Sequence, residues 1–86
     1  MPHLSSHLRA TTDREGGILL DLARGQLFRC NATGALIIEL LSRGADQAQI
    51  ESELVRKFGL STEKASADVQ SFLAALDGQG LLDEAG

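Results

Sequence analysis

A chain of 86 residues has room for one small core and is expected to bury roughly 60–65% of the surface its unfolded form exposes, which implies a single domain over 1–86. Three Phe with no Trp or Tyr leave stability to aliphatic packing and offer no row of aromatic platforms for stacked bases. Eight Lys and Arg against twelve Asp and Glu, a net charge of −4, disfavour phosphate backbones and anionic membranes as partners.

Residues 1–7 (MPHLSSH) are short, polar and unpatterned, which predicts a flexible tail. They lack the apolar core of a secretion signal, so a reducing cytoplasm is the expected location. His3 and His7 stand at i, i+4, yet two ligands are too few for a metal site and no Cys or carboxylate completes one at recognisable spacing. Leu8 to Thr12 alternates apolar and polar residues in strand fashion, and Asp13 to Gly17 supplies a turn. Ile18 to Leu22 and Leu27 to Cys30 then flank Ala23-Arg24-Gly25, a hairpin loop in which Gly25 takes the positive φ of a bulged turn. The three strands form an antiparallel meander, about the minimum for a useful sheet when one face is covered.

Asn31 closes the third strand and caps a helix by accepting from the orphan N–H groups of its first turn. That helix, Ala32 to Arg43, carries Leu36, Ile37, Ile38, Leu40 and Leu41 around most of its circumference and ends at Gly44, which predicts a central buried helix. Asp46 caps a second helix with a narrower stripe of Ile50, Leu54, Val55 and Phe58, stopped by Gly59. Ser61 or Thr62 opens a third, in which Ala65, Val69, Phe72, Leu73 and Leu76 repeat at helical spacing until Gly78 or Gly80. Leu81-Leu82 is expected to fold back onto the core. The short Gly59-Leu60-Ser61 connection has helix-turn-helix length, so the predicted fold is α+β: a three-stranded antiparallel sheet followed by three α-helices, a winged helix-turn-helix.

Little in the chain speaks of catalysis. Glu51/Glu53 and Asp83/Glu84 are paired carboxylates with no histidine beside them for acid–base chemistry, and there is no phosphate-cradling glycine motif. Cys30 is a lone cysteine without a basic sequence neighbour to depress its pKa, and reads as a small buried hydrophobe. No enzyme activity and no cofactor are expected, and no apolar run approaches the roughly 20 residues of a membrane span.

What remains is a geometry: a strand edge running directly into a capped helix is a cradle for a peptide added as an extra strand. On the third strand Gln26, Phe28 and Cys30 share one face and Leu27 and Arg29 the other, with Phe28 toward the core and Leu27 and Arg29 toward solvent or a partner. On the third helix Lys64, Asp68, Ser71 and Ala75 form one row, and Ala67, Ser71, Ala74 and Gly78 a neighbouring row of small residues that permits close approach of another chain. The same rows also suit a plain solvated face.

Several pieces, in this order, resemble the PqqD-like family of peptide recognition domains: Leu19–Leu22, Phe28–Asn31, Thr33-Gly34-Ala35, Gly44-Ala45, Asp68-Val69, Phe72-Leu73, Leu76 and Gly80–Leu82. The start of the first helix, Asn31 to Ala35, is most similar to the stand-alone proteins of lasso-peptide gene clusters. The resemblance implies a non-catalytic module that binds the leader segment of a ribosomally made precursor and presents it to a separate leader peptidase or other maturation enzyme. It further implies that the leader lies as an added strand against the third strand, with side chains entering a groove beside the third helix. The peptide-binding candidates are therefore Gln26, Leu27, Phe28, Arg29, Cys30, Lys64, Ala67, Asp68, Ser71, Phe72 and Ala75. Where the family usually has a large aliphatic before the Asn, this chain has Cys30, a smaller side chain expected to deepen a pocket. A monomer is expected. The alternative allowed by the element order is a winged-helix DNA-binding transcriptional regulator. Against it stands the third helix, where one Lys faces Glu63, Asp68 and Asp77 and phosphate neutralisation is poor.

Overall fold

The computed structural model describes residues 3–83. Strands β1 (His3–Leu4), β2 (Leu8–Thr12), β3 (Gly16–Asp21) and β4 (Gln26–Asn31) precede helices α1 (Ala32–Ser42), α2 (Gln47–Phe58) and α3 (Thr62–Gly78), and a short β5 (Leu82–Asp83) follows. β2, β3 and β4 form the expected antiparallel meander in that spatial order, with Leu19 opposite both Ala10 and Phe28. Gly25 takes φ +68° in the β3–β4 turn.

The first residues depart from the tail reading. From His3 onward the chain is ordered into structure: β1 pairs antiparallel with β5, His3 opposite Asp83 and Leu4 opposite Leu82. Ser5 is buried, its N–H donates to Leu81 O and its hydroxyl to Asp83 Oδ1 at 3.1 Å. The physical reason is long-range: a polar segment with no period of its own supplies the donors that the returning C-terminal segment needs. Leu81 is buried and holds that return against the core, as the sequence predicts. Asp83 is exposed, as expected of solvated surface, and also accepts from Ser5, while Glu84 lies outside the described residues.

Each helix start is a capping side chain. Asn31 Oδ1 accepts from Gly34 N at 2.9 Å. Asp46 and Gln49 form a reciprocal capping box. Ser61 Oγ accepts from Lys64 N. α1 is the central element: Gly34, Ala35, Leu36, Ile37, Ile38 and Leu41 are all buried. One side of α1 packs on the sheet and another on α2, and α3 packs on α2. Ile50 and Leu54 of α2 and Ala65, Val69 and Leu76 of α3 complete the core. Phe58 is the exception in the predicted α2 stripe, remaining 39% exposed at the helix end. Among the described residues no helix is long and apolar enough to cross a membrane.

Candidate functional site

β4 is an edge. Its ladder to β3 runs from Asp21–Gln26 to Gly16–Asn31, and among the described residues no strand pairs with its other side. That open side faces α3, with Asn31 near Lys64 and Phe28 near Gln79, so the helix runs antiparallel to the strand and the two bound a groove. At the α3 N-terminal end the groove is wide, about 410 Å³, walled by Asn31, Thr33, Gly34 and Ile37 on one side and Lys64, Asp68, Ser71, Phe72 and Ala75 on the other. It narrows to about 150 Å³ toward the α3 C-terminus, among Leu19, Phe28, Arg29, Cys30, Phe72, Ala75, Leu76, Gln79 and Leu81. Phe72 and Ala75 are shared by both ends, so the two are one tapering trough.

The residues that build it follow from local rules. Strand alternation turns Phe28 and Cys30 inward, half-buried, and leaves Leu27 and Arg29 exposed. Phe72 lies across the start of α1 because Gly34 has no side chain: a Cβ there would stand 2.7 Å from the Phe72 ring and 3.0 Å from Cys30 Cβ. At the rim Lys64 Nζ donates to Asp68 Oδ1 at 2.8 Å, an i, i+4 pair on the exposed side of the wide end. Burial pushes the Cys30 thiol above its ordinary range, partly offset by a hydrogen bond from the Gly17 backbone, so the thiol stays neutral at physiological pH.

Eight of the eleven candidates, Phe28, Arg29, Cys30, Lys64, Asp68, Ser71, Phe72 and Ala75, line this trough. Gln26, Leu27 and Ala67 do not: Gln26 sits exposed at the hairpin end, Leu27 points to the outer face of the sheet, and Ala67 is exposed one row round the helix. Sequence reasoning missed the α1 wall of Thr33, Gly34 and Ile37, for which the Asn31-x-Thr-Gly-Ala start was the available signal. It also missed the closing residues Leu19, Leu76, Gln79 and Leu81, which carry no polar pattern to mark them. Of the two histidines, His3 lies in β1 while His7 places Nε2 3.5 Å from the Oδ1 of Asp21, a fully buried carboxylate. Glu53 of the carboxylate pair on α2 bonds Arg56, and the guanidinium holds its carboxyl below the usual range.

Residues 16–82 match the family described as coenzyme PQQ synthesis protein D (PqqD). The chain belongs to the PqqD family. No curated protein matches the sequence. Among solved structures, this PqqD-family fold is similar to that of TbiB1 in complex with the TbiA(beta) leader peptide, with a TM-score of 0.87, 24% identity and 98% of each chain covered. It is also similar to a lasso peptide synthetase B1 complexed with the leader peptide, with a TM-score of 0.84, 23% identity, 96% of this chain and 98% of that one covered.

Proposed function

We propose that this PqqD-family protein is a non-catalytic recognition protein of lasso-type peptide biosynthesis. It captures the leader segment of a ribosomally made precursor as an additional strand on β4 and presents it to a separate maturation enzyme. The observation that carries the reading is the β4 edge, unpaired among the described residues, lying along a tapering trough against α3 that is apolar at its narrow end. Free N–H and C=O groups on such an edge give sequence-tolerant affinity, and the trough beside it takes alternate side chains and selects among them. The two similar structures support the reading, since both are complexes with leader peptides.

The trough's chemistry sets what it accepts. The narrow end, walled by Leu19, Phe28, Leu76 and Leu81, takes a small or medium apolar side chain. At the wide end, the rim pair Lys64–Asp68 offers one charge of each sign. No nucleophile–base pair lines the trough among the described residues, so the protein positions its peptide and leaves the bond chemistry to its partner.

The test is a titration of isotopically labelled protein with synthetic leader peptides of lasso-peptide precursors. Amide shifts are expected along 28–34 and 64–79, with 47–58 unmoved; the reverse pattern would overturn the site. Mass spectrometry of precursor incubated with the protein alone is expected to return it unchanged, and a cleaved or cyclised product would refute the non-catalytic reading.

A further inference from the structure

The trough has two walls that meet through side chains, with Phe72 of α3 lying against Gly34 at the start of α1. α1 spans the sheet and α2, and α3 leans on α2, so β4 and α3 face each other across side chains. Among the described residues one hydrogen bond joins the β3–β4 hairpin to α3 and its C-cap: Arg24 Nη1 donates to Gln79 O at 2.7 Å. Three further observations converge on it. Asp21, fully buried at the end of β3, accepts from both Ala23 N at 3.0 Å and Arg24 N at 3.2 Å through Oδ1, which fixes the turn that carries Arg24. Its Oδ2, buried with no hydrogen-bond partner among the described residues, lies 3.9 Å from Arg24 Nε, near enough for charge attraction. Gly80, at φ +74°, leaves the guanidinium its place, since a Cβ there would stand 2.8 Å from Nη2. Gln79 also lines the narrow end of the trough.

We infer that Arg24 is a positioning residue that straps the hairpin to the end of α3 and so sets the width of the narrow end of the trough. The inference rests on the trough being the leader site, but the strap itself is a property of the free protein. Its chemistry fits that role, because the Gln79 carbonyl belongs to the C-cap of α3, where orphan acceptors and the negative end of the helix dipole favour a cation. The strap closes the end of the trough opposite the Lys64–Asp68 rim, leaving a cleft that opens by rotation of α3 about that closed end. A peptide strand then meets a pre-set gap, and the ordering that the gap requires has been met before binding.

The experiment measures the gap without ligand. Nitroxide labels on Leu20→Cys and Ala74→Cys, in a Cys30→Ala background, report the distance between the exposed outer face of the sheet and the exposed side of α3. Arg24→Ala is expected to broaden and lengthen the distance distribution, and Arg24→Lys, which keeps a donor able to reach the same carbonyl, to restore most of it. Gly80→Asn tolerates the left-handed backbone yet displaces the guanidinium. It is expected to broaden the distribution alone and to add nothing to Arg24→Ala, a non-additivity that general destabilisation does not produce. Unchanged distributions in both Arg24→Ala and Gly80→Asn would overturn the strap, and should Arg24→Ala not fold, Gly80→Asn decides alone. Leader titration is read separately. If the strapped fraction falls to about a tenth, leader affinity falls about tenfold; failure of the wild-type protein to bind leader would sink the functional reading and leave the strap standing.

Discussion

Gly34→Ala sets helix propensity against packing at one atom. Gly34 is the third residue of α1, and replacing a helical glycine by alanine is worth up to about 1 kcal/mol of stability. The added Cβ would stand 2.7 Å from Phe72 Cε1, 3.1 Å from Phe72 Cζ and 3.0 Å from Cys30 Cβ. Overpacking of this kind costs about 1–3 kcal/mol. The balance is a loss of roughly 0–2 kcal/mol, or about 4–8 °C of melting temperature per kcal/mol for a domain of this size. Where the strain is released matters more than its size. Cys30 Cβ is fixed by the β4 backbone, whereas the half-buried Phe72 ring has the wide end of the trough beside it, so the ring swings into the space proposed for a peptide. Gly34→Ala is therefore expected to lose leader affinity out of proportion to stability. The assay pairs urea unfolding with isothermal titration and with the Phe72 ring proton shifts. A variant stabilised by the full propensity gain, with its Phe72 resonances unmoved, would refute the reasoning.

Asp21→Ala leaves the amides of Ala23 and Arg24 without their acceptor and removes the carboxylate that faces His7. The expected loss is about 3–5 kcal/mol, read as a lower urea midpoint; Asp21→Asn keeps an acceptor oxygen and is expected to lose less, and equal losses would mean that charge rather than amide capture holds the turn. The Lys64–Asp68 pair is exposed, so a double-mutant cycle to alanine is expected to find at most about 0.5 kcal/mol of coupling in stability. Asp68→Lys, by contrast, is expected to weaken leader binding by about 1–3 kcal/mol in titration calorimetry, because it reverses a charge at the wide end of the trough; unchanged binding would remove that row from the site. Because its folded-state pKa is raised, the Cys30 thiol contributes stability below the unfolded thiol pKa and loses it as pH climbs from there through the folded value. Iodoacetamide is expected to label Cys30 with an inflection at higher pH than a free cysteine, and an inflection at or below the free value would show an activated thiolate.

The elements most legible in the sequence are those whose signals are local. The Asn31, Asp46 and Ser61 caps, the Gly25 turn and the all-round apolar α1 each state their own conformation, and all appear in the structure within a residue or two of the expected bounds. β1 and β5 were illegible for the opposite reason: two-residue strands carry no period, and each exists only because the other end of the chain supplies its hydrogen-bond partner. The trough divides in the same way. Residues on one strand or one helix row are readable from alternation and helical spacing, which is how Phe28, Cys30, Lys64, Asp68, Ser71 and Ala75 emerge. Leu27 and Ala67 share those elements but not the facing side. Gly34 and Gln79 act through contacts with residues far along the chain, and Arg24, an ordinary turn residue in sequence, acquires its partner only when α3 arrives beside the hairpin.

A winged helix-turn-helix presents its third helix to a partner, and the charge on that helix decides what the partner can be. Here Lys64, the one cation within α3, is already paired with Asp68, and the Arg24 guanidinium at the far end is committed to the Gln79 carbonyl. Glu63 and Asp77 remain on the exposed side. Bringing such a helix against a phosphate backbone would place unscreened carboxylates beside like charge and release no counterions. The same features suit a neutral main chain: a strand arriving along β4 would bring dipoles rather than net charge, meet ladder groups that are unpaired among the described residues, and have a trough with an apolar narrow end for its side chains. The DNA-reading use of the fold is thus opposed by the helix's own electrostatics at the position where peptide capture needs no cation at all.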